Sequence, residues 1–399
     1  MTLPRRVLML GMARSGTAAA AVLERRGVEV VPADRTLGND EDLELLDGVG
    51  LLVKTPGIPG EHPLVRAARE RGVPVWSEIE LGSRLLPNPL VGVTGTNGKT
   101  TTAELLGAML GAPVVGNVGR PLTGLEAPAD AWVVCEISSF QLEDIETLRP
   151  RISVLVNLEP DHLDRHGTFE AYRDAKLRIF ENQAEEDAAV VPRGFGPVPG
   201  RARRIEFDDS DPLPAEPRIP GAHNRENAAA ATAAARAAGV DDAAIAEALR
   251  TFPGVPHRLE LVGAVSGVRY VNDSKATNVA AALRALASYD EPIHVIAGGQ
   301  GKNERYEPLA EAARGRVARV YLIGETAGEM AAAFEAAGVP VDRCGDLERA
   351  VHAAASAARP GDVVLLSPAC ASYDQFRDFE DRGDTFRSLV AALGALTPG

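Results

Sequence analysis

The segment VGVTGTNGKTTTAELLGAML, residues 91–110, decides how the rest of the chain is read. An apolar run, Leu90 to Val93, enters a turn of Gly and Thr, and Lys99 stands at the mouth of an apolar segment with helical spacing. Strand, glycine turn and helix N-terminus in that order present consecutive backbone N–H groups to an anion. Gly95-Thr96-Asn97-Gly98-Lys99-Thr100 departs from the common G-x-x-x-x-G-K-[ST] loop, because its first glycine stands three residues before Gly98 rather than five. The physics is shared. The loop amides face phosphates, Lys99 neutralises them, and the Thr100 hydroxyl suits Mg²⁺.

Working outward, short apolar runs alternate with helix-period segments along the whole chain, among them RVLML, VEVVPAD, AWVVCEIS, RISVLVNLEP, EPIHVIAGG, ARVYLIG and DVVLLSP. Each run is followed by an Ala-rich stretch, which points to parallel sheets covered by helices on both faces. A length of 399 residues exceeds one ordinary core. The expectation is an α/β protein of three domains. Residues 1–88 form a Rossmann-like N-terminal domain, and residues 89–252 a central P-loop ATPase-like domain with a mostly parallel sheet. Residues 253–399 form a C-terminal Rossmann-like α/β domain. The Pro/Gly-rich stretch 192–221 reads as irregular strand or loop, and Asn224 to Arg250 as helical.

Composition narrows the class. With 45% hydrophobic and 25% charged residues the chain is an ordinary globular protein. No apolar run reaches the roughly 18 residues of a membrane span. MTLPRRVLMLGMARSG reads as a first strand rather than a signal peptide, because its apolar run stops at Gly11, so the cytoplasm is the expected location. Cys135, Cys344 and Cys370 fit neither a disulfide framework nor metal-ligand spacing. A net charge of −14 argues against nucleic acid as a partner while leaving room for a small anion held by local Lys, Arg and amides.

In the first block Gly11 and Gly16 mark a strand-to-helix turn, and Asp34 ends the next strand. That layout suits a dinucleotide, yet Ala13 replaces the middle glycine of G-x-G-x-x-G. A tight structural turn and a bound nucleotide both remain open, and a redox cofactor is the less favoured third possibility. Downstream, Glu136 closes the strand AWVVCE beside the phosphate loop, where a carboxylate is placed for a metal. Asp161, His162 and Asp164 crowd the next strand end. By helical pattern alone, Lys176 in FEAYRDAKLRIFEN is a solvated lysine. In the third block the strand VRYVN runs into Asp273, Lys275 and Thr277, a polar end that core packing does not explain.

The strings GVTGTNGKTT, GNVG, EISSFQLE, NLEPDHLDRH, YRDAK, GAHNRENAAAA, FPGVPHRLE, NDSKATN, GGQGK and LSPACASYDQF occur in one order, and together they resemble the bacterial Mur ligases. The resemblance runs from the first block to near the C-terminus. SSFQLE and SPACASYDQF are closest to the D-glutamate-adding branch, while TGTNGKTT, HN and HR are shared with folylpolyglutamate synthases. The resemblance implies ATP-dependent ligation of D-glutamate to UDP-N-acetylmuramoyl-L-alanine through an acyl phosphate and a tetrahedral intermediate, in peptidoglycan precursor synthesis, by a cytoplasmic monomer. The alternative is a sibling amide ligase using another amino acid; no DNPR-like string of a diaminopimelate adder occurs.

By that resemblance ATP contacts Gly95, Thr96, Asn97, Gly98, Lys99, Thr100, Thr101, Asn227, Arg258 and Asp273, with Asn227 reading adenine. His257 and Arg258 reach nucleotide and phosphate. Two Mg²⁺ ions bind at Thr100 and at Glu136, His162 and Lys176, where Lys176 is carbamylated by CO₂. Lys99, His162, Lys176 and Lys302 act in catalysis, and no redox cofactor takes part. Lys275, Thr277, Lys302, Ser372 and Phe379 seat D-glutamate, and Gln300 receives no role. The nucleotide sugar falls to Arg14, Ser15, Asp34, Arg35, Gly57 and Asn117.

Overall fold

A computed structural model describes residues 3–219, 221–301 and 304–396. Their strands form three sheets. The first holds β1 (Arg6–Leu10), β2 (Glu29–Ala33), β3 (Leu51–Lys54) and β4 (Val75–Ser77) in the order β2-β1-β3-β4, with every pairing parallel. β1 and β3 are buried along almost their whole length, which is why RVLML and LLVK read as unbroken apolar runs rather than alternating ones. At the first turn Gly11 takes φ +91°, and a Cβ on Gly16 would lie 1.8 Å from the Gly11 carbonyl oxygen. Both glycines are therefore required by the turn and the close helix–strand approach.

The central sheet holds β5 (Leu90–Thr94), β6 (Val114–Gly116), β7 (Val133–Glu136), β8 (Ile152–Leu155), β9 (Ala188–Pro192) and β10 (Arg203–Phe207), all parallel in the order β10-β9-β8-β5-β7-β6. β5 lies between β7 and β8, with Val93 opposite Glu136 and Thr94 opposite Leu155. Strand order reverses around β5, the position where open parallel sheets bind ligands beyond their C-terminal ends. The Ala-rich zone is two helices, Ala222–Ala237 and Asp242–Thr251, broken where Gly239 takes φ +88° and Asp241 caps the second. The first of these packs against the helix Lys99–Leu110, and its small side chains permit the approach.

The described residues up to Arg218, together with Ala222–Phe252, form one compact unit, and those from Pro253 belong to a second. Inside the first unit, charges buried in pairs join the two sheets. Lys54, 1% exposed at the end of β3, pairs with Asp144 at 2.8 Å and donates to the Ile58 carbonyl at 3.0 Å. Glu80, on the connecting helix Glu78–Leu85, is fully buried and accepts from Arg84, from the N–H groups of Glu146, Thr147 and Leu148, and from the Thr147 hydroxyl.

The second unit holds β11 (Glu260–Val265), β12 (Val268–Asn272), β13 (Ile293–Gly298), β14 (Val317–Ile323), β15 (Val341–Gly345) and β16 (Val363–Leu366), in the order β11-β12-β16-β13-β14-β15. Every pairing is parallel except β11 with β12, a hairpin that the strand–helix alternation did not foretell. Its turn, Ser266-Gly267, takes φ +51° and +78°, the two positive values of a type I′ connection.

Glu80→Ala leaves a guanidinium and three backbone donors without their shared acceptor. A loss of about 3–5 kcal/mol is expected, read as a lower melting temperature; an unchanged one would show that the network holds nothing together. Burial pushes the Glu80 carboxyl up, but its hydrogen bonds prevail and hold it below the usual glutamate value. Its contribution is therefore present above the ordinary pKa of about 4.3 and is lost as pH falls through the lower folded value.

Candidate active site

The phosphate loop is shaped before any ligand arrives. Gly98 caps the helix Lys99–Leu110 at φ +76°, and a Cβ there would lie 2.1 Å from Asn227 Oδ1. The segment after β8 braces the other side. Thr96 N–H donates to the Asn157 carbonyl at 3.1 Å, and Asn97 N–H to Asn157 Oδ1 at 2.8 Å. The Thr96 hydroxyl donates to the Glu159 carbonyl and accepts from Glu159 N–H and from the Tyr172 hydroxyl. Lys99 curls back over the loop, its Nζ 2.9 Å from both the Gly95 and the Thr96 carbonyl oxygens. Thr100 and Thr101 follow, buried in the first helical turn.

Lys176, on the helix Phe169–Leu177, is 2% exposed, so the solvated lysine that helical pattern alone suggested is not what the fold makes. Tyr172, Ala175 and Lys176 form the buried face of that helix. The Lys176 Nζ donates to the Gly95 carbonyl at 2.7 Å and lies 4.8 Å from the Tyr172 ring centroid. Burial, and then the charge of Lys99, brings its pKa down to about 6. Near neutral pH it is an uncharged amine, and therefore a nucleophile.

Glu136 ends β7 with 2% exposure. Its Oε1 accepts from Asn117 Nδ2 at 2.9 Å, while Oε2 is buried and accepts no hydrogen bond. A buried carboxyl oxygen with no hydrogen bond among the described residues is suited to a cation. His162 takes the left-handed region at φ +50°, with a half-exposed side chain 3.6 Å from Asp161 and its ring edge-on to Phe140. Among the described residues no group of three His, Cys, Asp or Glu side chains converges as a ready metal site.

In the first sheet the Asp34 carboxylate seals the glycine turn, accepting from Met12 N–H at 2.6 Å and from Thr36 N–H and hydroxyl. Those bonds hold its pKa low. Arg14 donates to the Gly119 carbonyl at 3.2 Å, which brings it to the loop that carries Asn117. Ser15 is half-buried, and Arg35 and Gly57 are exposed with no such link to the others.

The second unit gathers its own polar group. Asp273 follows β12, accepts from the Ser367 hydroxyl and Leu259 N–H, and is pushed up to about 7 by burial. His257 and Leu259 flank Arg258 with positive φ, and His257 Nδ1 meets Asn272 Nδ2 at 3.0 Å. The Lys275 N–H bonds the His257 carbonyl, its ammonium lies 5.0 Å from the Phe379 ring centroid, and Thr277 N–H donates to the Lys275 carbonyl. Sequence reasoning missed Arg382. It is fully buried and donates to the Ser274 hydroxyl and carbonyl and to the carbonyls of Cys370 and Ala371. Arg382 thereby ties the turn of Lys275 to the loop of Ser372, and nothing in a helical i, i+4 pattern marks an arginine for that place. Cys370 is the small buried residue a lone cysteine suggests, its thiol pushed up by burial. Lys302 lies outside the described residues.

Comparison with known proteins matches residues 93–194 to the Mur ligase middle domain and residues 257–370 to the Mur ligase glutamate ligase domain. The UDP-N-acetylmuramoylalanine–D-glutamate ligase of Myxococcus xanthus is 40% identical over 98% of this chain and 98% of its own length. The enzyme of the same name from Sphingopyxis alaskensis is 42% identical with the same coverage. Among solved structures, UDP-N-acetylmuramate-alanine ligase of Thermotoga maritima has TM-score 0.62 at 19% identity, covering 98% of this chain and 100% of that one. The MurF ligase of Thermotoga maritima in complex with ADP has TM-score 0.61 at 18% identity, covering 89% of this chain and 92% of its own.

A lysine near 6 in the fold and about 10.4 unfolded binds more protons when unfolded, so stability is complete above the unfolded value and falls as pH drops toward 6. Lys176→Met therefore melts higher than the wild type at pH 7, and the difference closes toward pH 10. Equal melting temperatures at pH 7 would show the lysine to be solvated after all.

Proposed function

The chain belongs to the Mur ligase family, and on that premise we propose that it uses ATP to join D-glutamate to UDP-N-acetylmuramoyl-L-alanine, a step of peptidoglycan precursor synthesis. A substrate carboxylate oxygen attacks the γ-phosphorus of ATP, the bond to ADP breaks, and an acyl phosphate forms. The D-glutamate amine then attacks the acyl carbon. The tetrahedral intermediate collapses with loss of a proton from nitrogen and expulsion of inorganic phosphate.

The observation that carries the reaction class is the fully buried Lys176 amine, hydrogen-bonded to the loop at Gly95 and with its pKa brought down to about 6. Lys99 and the loop amides offset charge on the β- and γ-phosphates as it shifts in the transition state. Two Mg²⁺ ions, when bound, reduce repulsion between the carboxylate and the triphosphate. Thr100 would hold one; Glu136, His162 and Lys176 would hold the other. The unpartnered Glu136 Oε2 fits that role, and a further anionic donor would complete it. The Lys176 nitrogen adding to CO₂, with loss of a proton, makes a carbamate that supplies it.

Residues 1–88 take the nucleotide sugar through Arg14, Ser15, Asp34, Arg35 and Gly57, with Asn117 near the muramoyl group. Residues 89–252 take ATP, with Asn227 at adenine, while Arg258 and Asp273 serve its phosphates and ribose. Lys275, Thr277, Lys302, Ser372 and Phe379 seat D-glutamate within 253–399, where cations match a dicarboxylate. The enzyme works as a cytoplasmic monomer.

Phosphate release with ATP, Mg²⁺ and UDP-N-acetylmuramoyl-L-alanine is expected with D-glutamate and not with L-glutamate, L-alanine or diaminopimelate. Turnover with one of these and not with D-glutamate overturns the assignment. Lys99→Ala should lower kcat by about 10²–10³-fold. Lys176→Ala should abolish turnover, and excess bicarbonate should not restore it; full activity in that variant removes the carbamate.

A further inference from the structure

One buried imidazole that the proposed reaction does not use packs between the short helix that follows Glu136 and the helix that carries Lys176. His166 ends the short helix Leu163–His166, with its side chain 5% exposed. Its Nε2 lies 3.0 Å from Ser139 Oγ, three residues past Glu136. Its Nδ1 faces Glu143 Oε1 at 3.6 Å, and Glu143 is itself held by Arg165 at 3.1 Å. The ring stacks on Phe140, with centroids 5.4 Å apart and planes inclined by 17°. Its other contact is edge-to-face with Tyr172 at 5.3 Å, four residues before Lys176. Tyr172 passes the contact on, since its hydroxyl bonds Thr96 in the phosphate loop. His166 itself stands four residues past His162 in the same turn.

We propose that His166 is a positioning residue that sets the spacing of Glu136, His162 and Lys176, and so the affinity of the second divalent cation. The inference rests on the ligase reading above. The ladder through β5 fixes β7, with Glu136, against β8, but His162 stands seven residues past the end of β8 and Lys176 sits on a helix, so strand pairing alone does not set the spacing of all three. An imidazole packed on two rings and bonded to Ser139 does so, because moving any one element breaks a contact that the others share. Groups hydrogen-bonded directly to ligands tune metal affinity by about 10–100-fold in other sites, and His166 stands one residue further out, so its effect falls toward or below the lower end of that range.

The test compares the wild type with His166→Phe, which keeps the ring stack and loses both nitrogens, and His166→Gln, which keeps a polar reach toward Ser139. Mn²⁺ bound in the presence of ADP is counted by electron paramagnetic resonance, alongside the Mg²⁺ dependence of ligation and the KM for D-glutamate. In His166→Phe, Mn²⁺ affinity and the Mg²⁺ half-saturation point should weaken severalfold, up to about tenfold, while the KM for D-glutamate holds, and His166→Gln should recover part of the loss. Wild-type Mn²⁺ affinity in His166→Phe, or equal losses in Mg²⁺ and D-glutamate, overturns the inference and leaves the ligase reading standing. A wild type that binds no Mn²⁺ beside ADP overturns both.

Discussion

The carbonyl oxygen of Gly95 accepts hydrogen bonds from two lysines, Lys99 and Lys176, and the arrangement around it depends on that sharing. Two ammonium groups cannot crowd one oxygen cheaply in a buried place. Lys99 is half-buried, while burial first, and then the neighbouring Lys99, brings the pKa of the fully buried Lys176 down to about 6. The loop thus gathers two lysine side chains from residues 77 positions apart in the chain. Neither would be in reach if Gly95 did not turn the backbone at φ +152° and present its carbonyl inward.

That turn is held open by the topology of the central sheet. With β5 between β7 and β8, the ends of all three strands meet, and the residues that follow them line one rim. Glu136 comes from one neighbour, and the Asn157–His162 segment from the other. The brace from Asn157 and Glu159 to the loop is backbone-heavy, so it tolerates change in exposed side chains while keeping the loop's shape. The buried charges of Lys54, Asp144 and Glu80 serve the same end at longer range, since they join the first sheet to the central one inside a single unit.

Strands such as β1, β5, β7, β8, β13, β14 and β16 were legible because parallel strands buried on both faces leave continuous apolar runs, whereas the three-residue β4 and β6 and the edge strand β10 left none. The hairpin β11–β12 was not legible, since the run LVGAV in β11 reads like the others although the strand is half-exposed, and antiparallel pairing at an edge leaves no mark in such a run. The candidate site divides in the same way. Lys99, Thr100, Glu136 and His162 sit in or just after strand ends, where polar residues interrupt apolar runs and announce themselves. Lys176, Arg382 and His166 sit on helices, and a helical lysine, arginine or histidine looks alike in sequence whether it faces solvent or a neighbour. A resemblance to a family marked Lys176; only burial explains why its pKa falls.

By itself the sequence determined the α/β class, the phosphate loop with its lysine and hydroxyls, and the kinship that brings ATP and D-glutamate into view. These follow from local periodicity and short strings, which chain neighbours carry. The tertiary structure decided which carboxyl oxygen is left unpartnered, which lysine loses its proton, and which histidine joins three elements. Each of these depends on burial and on distances between residues far apart in the chain, and no local pattern encodes the desolvation that drives them.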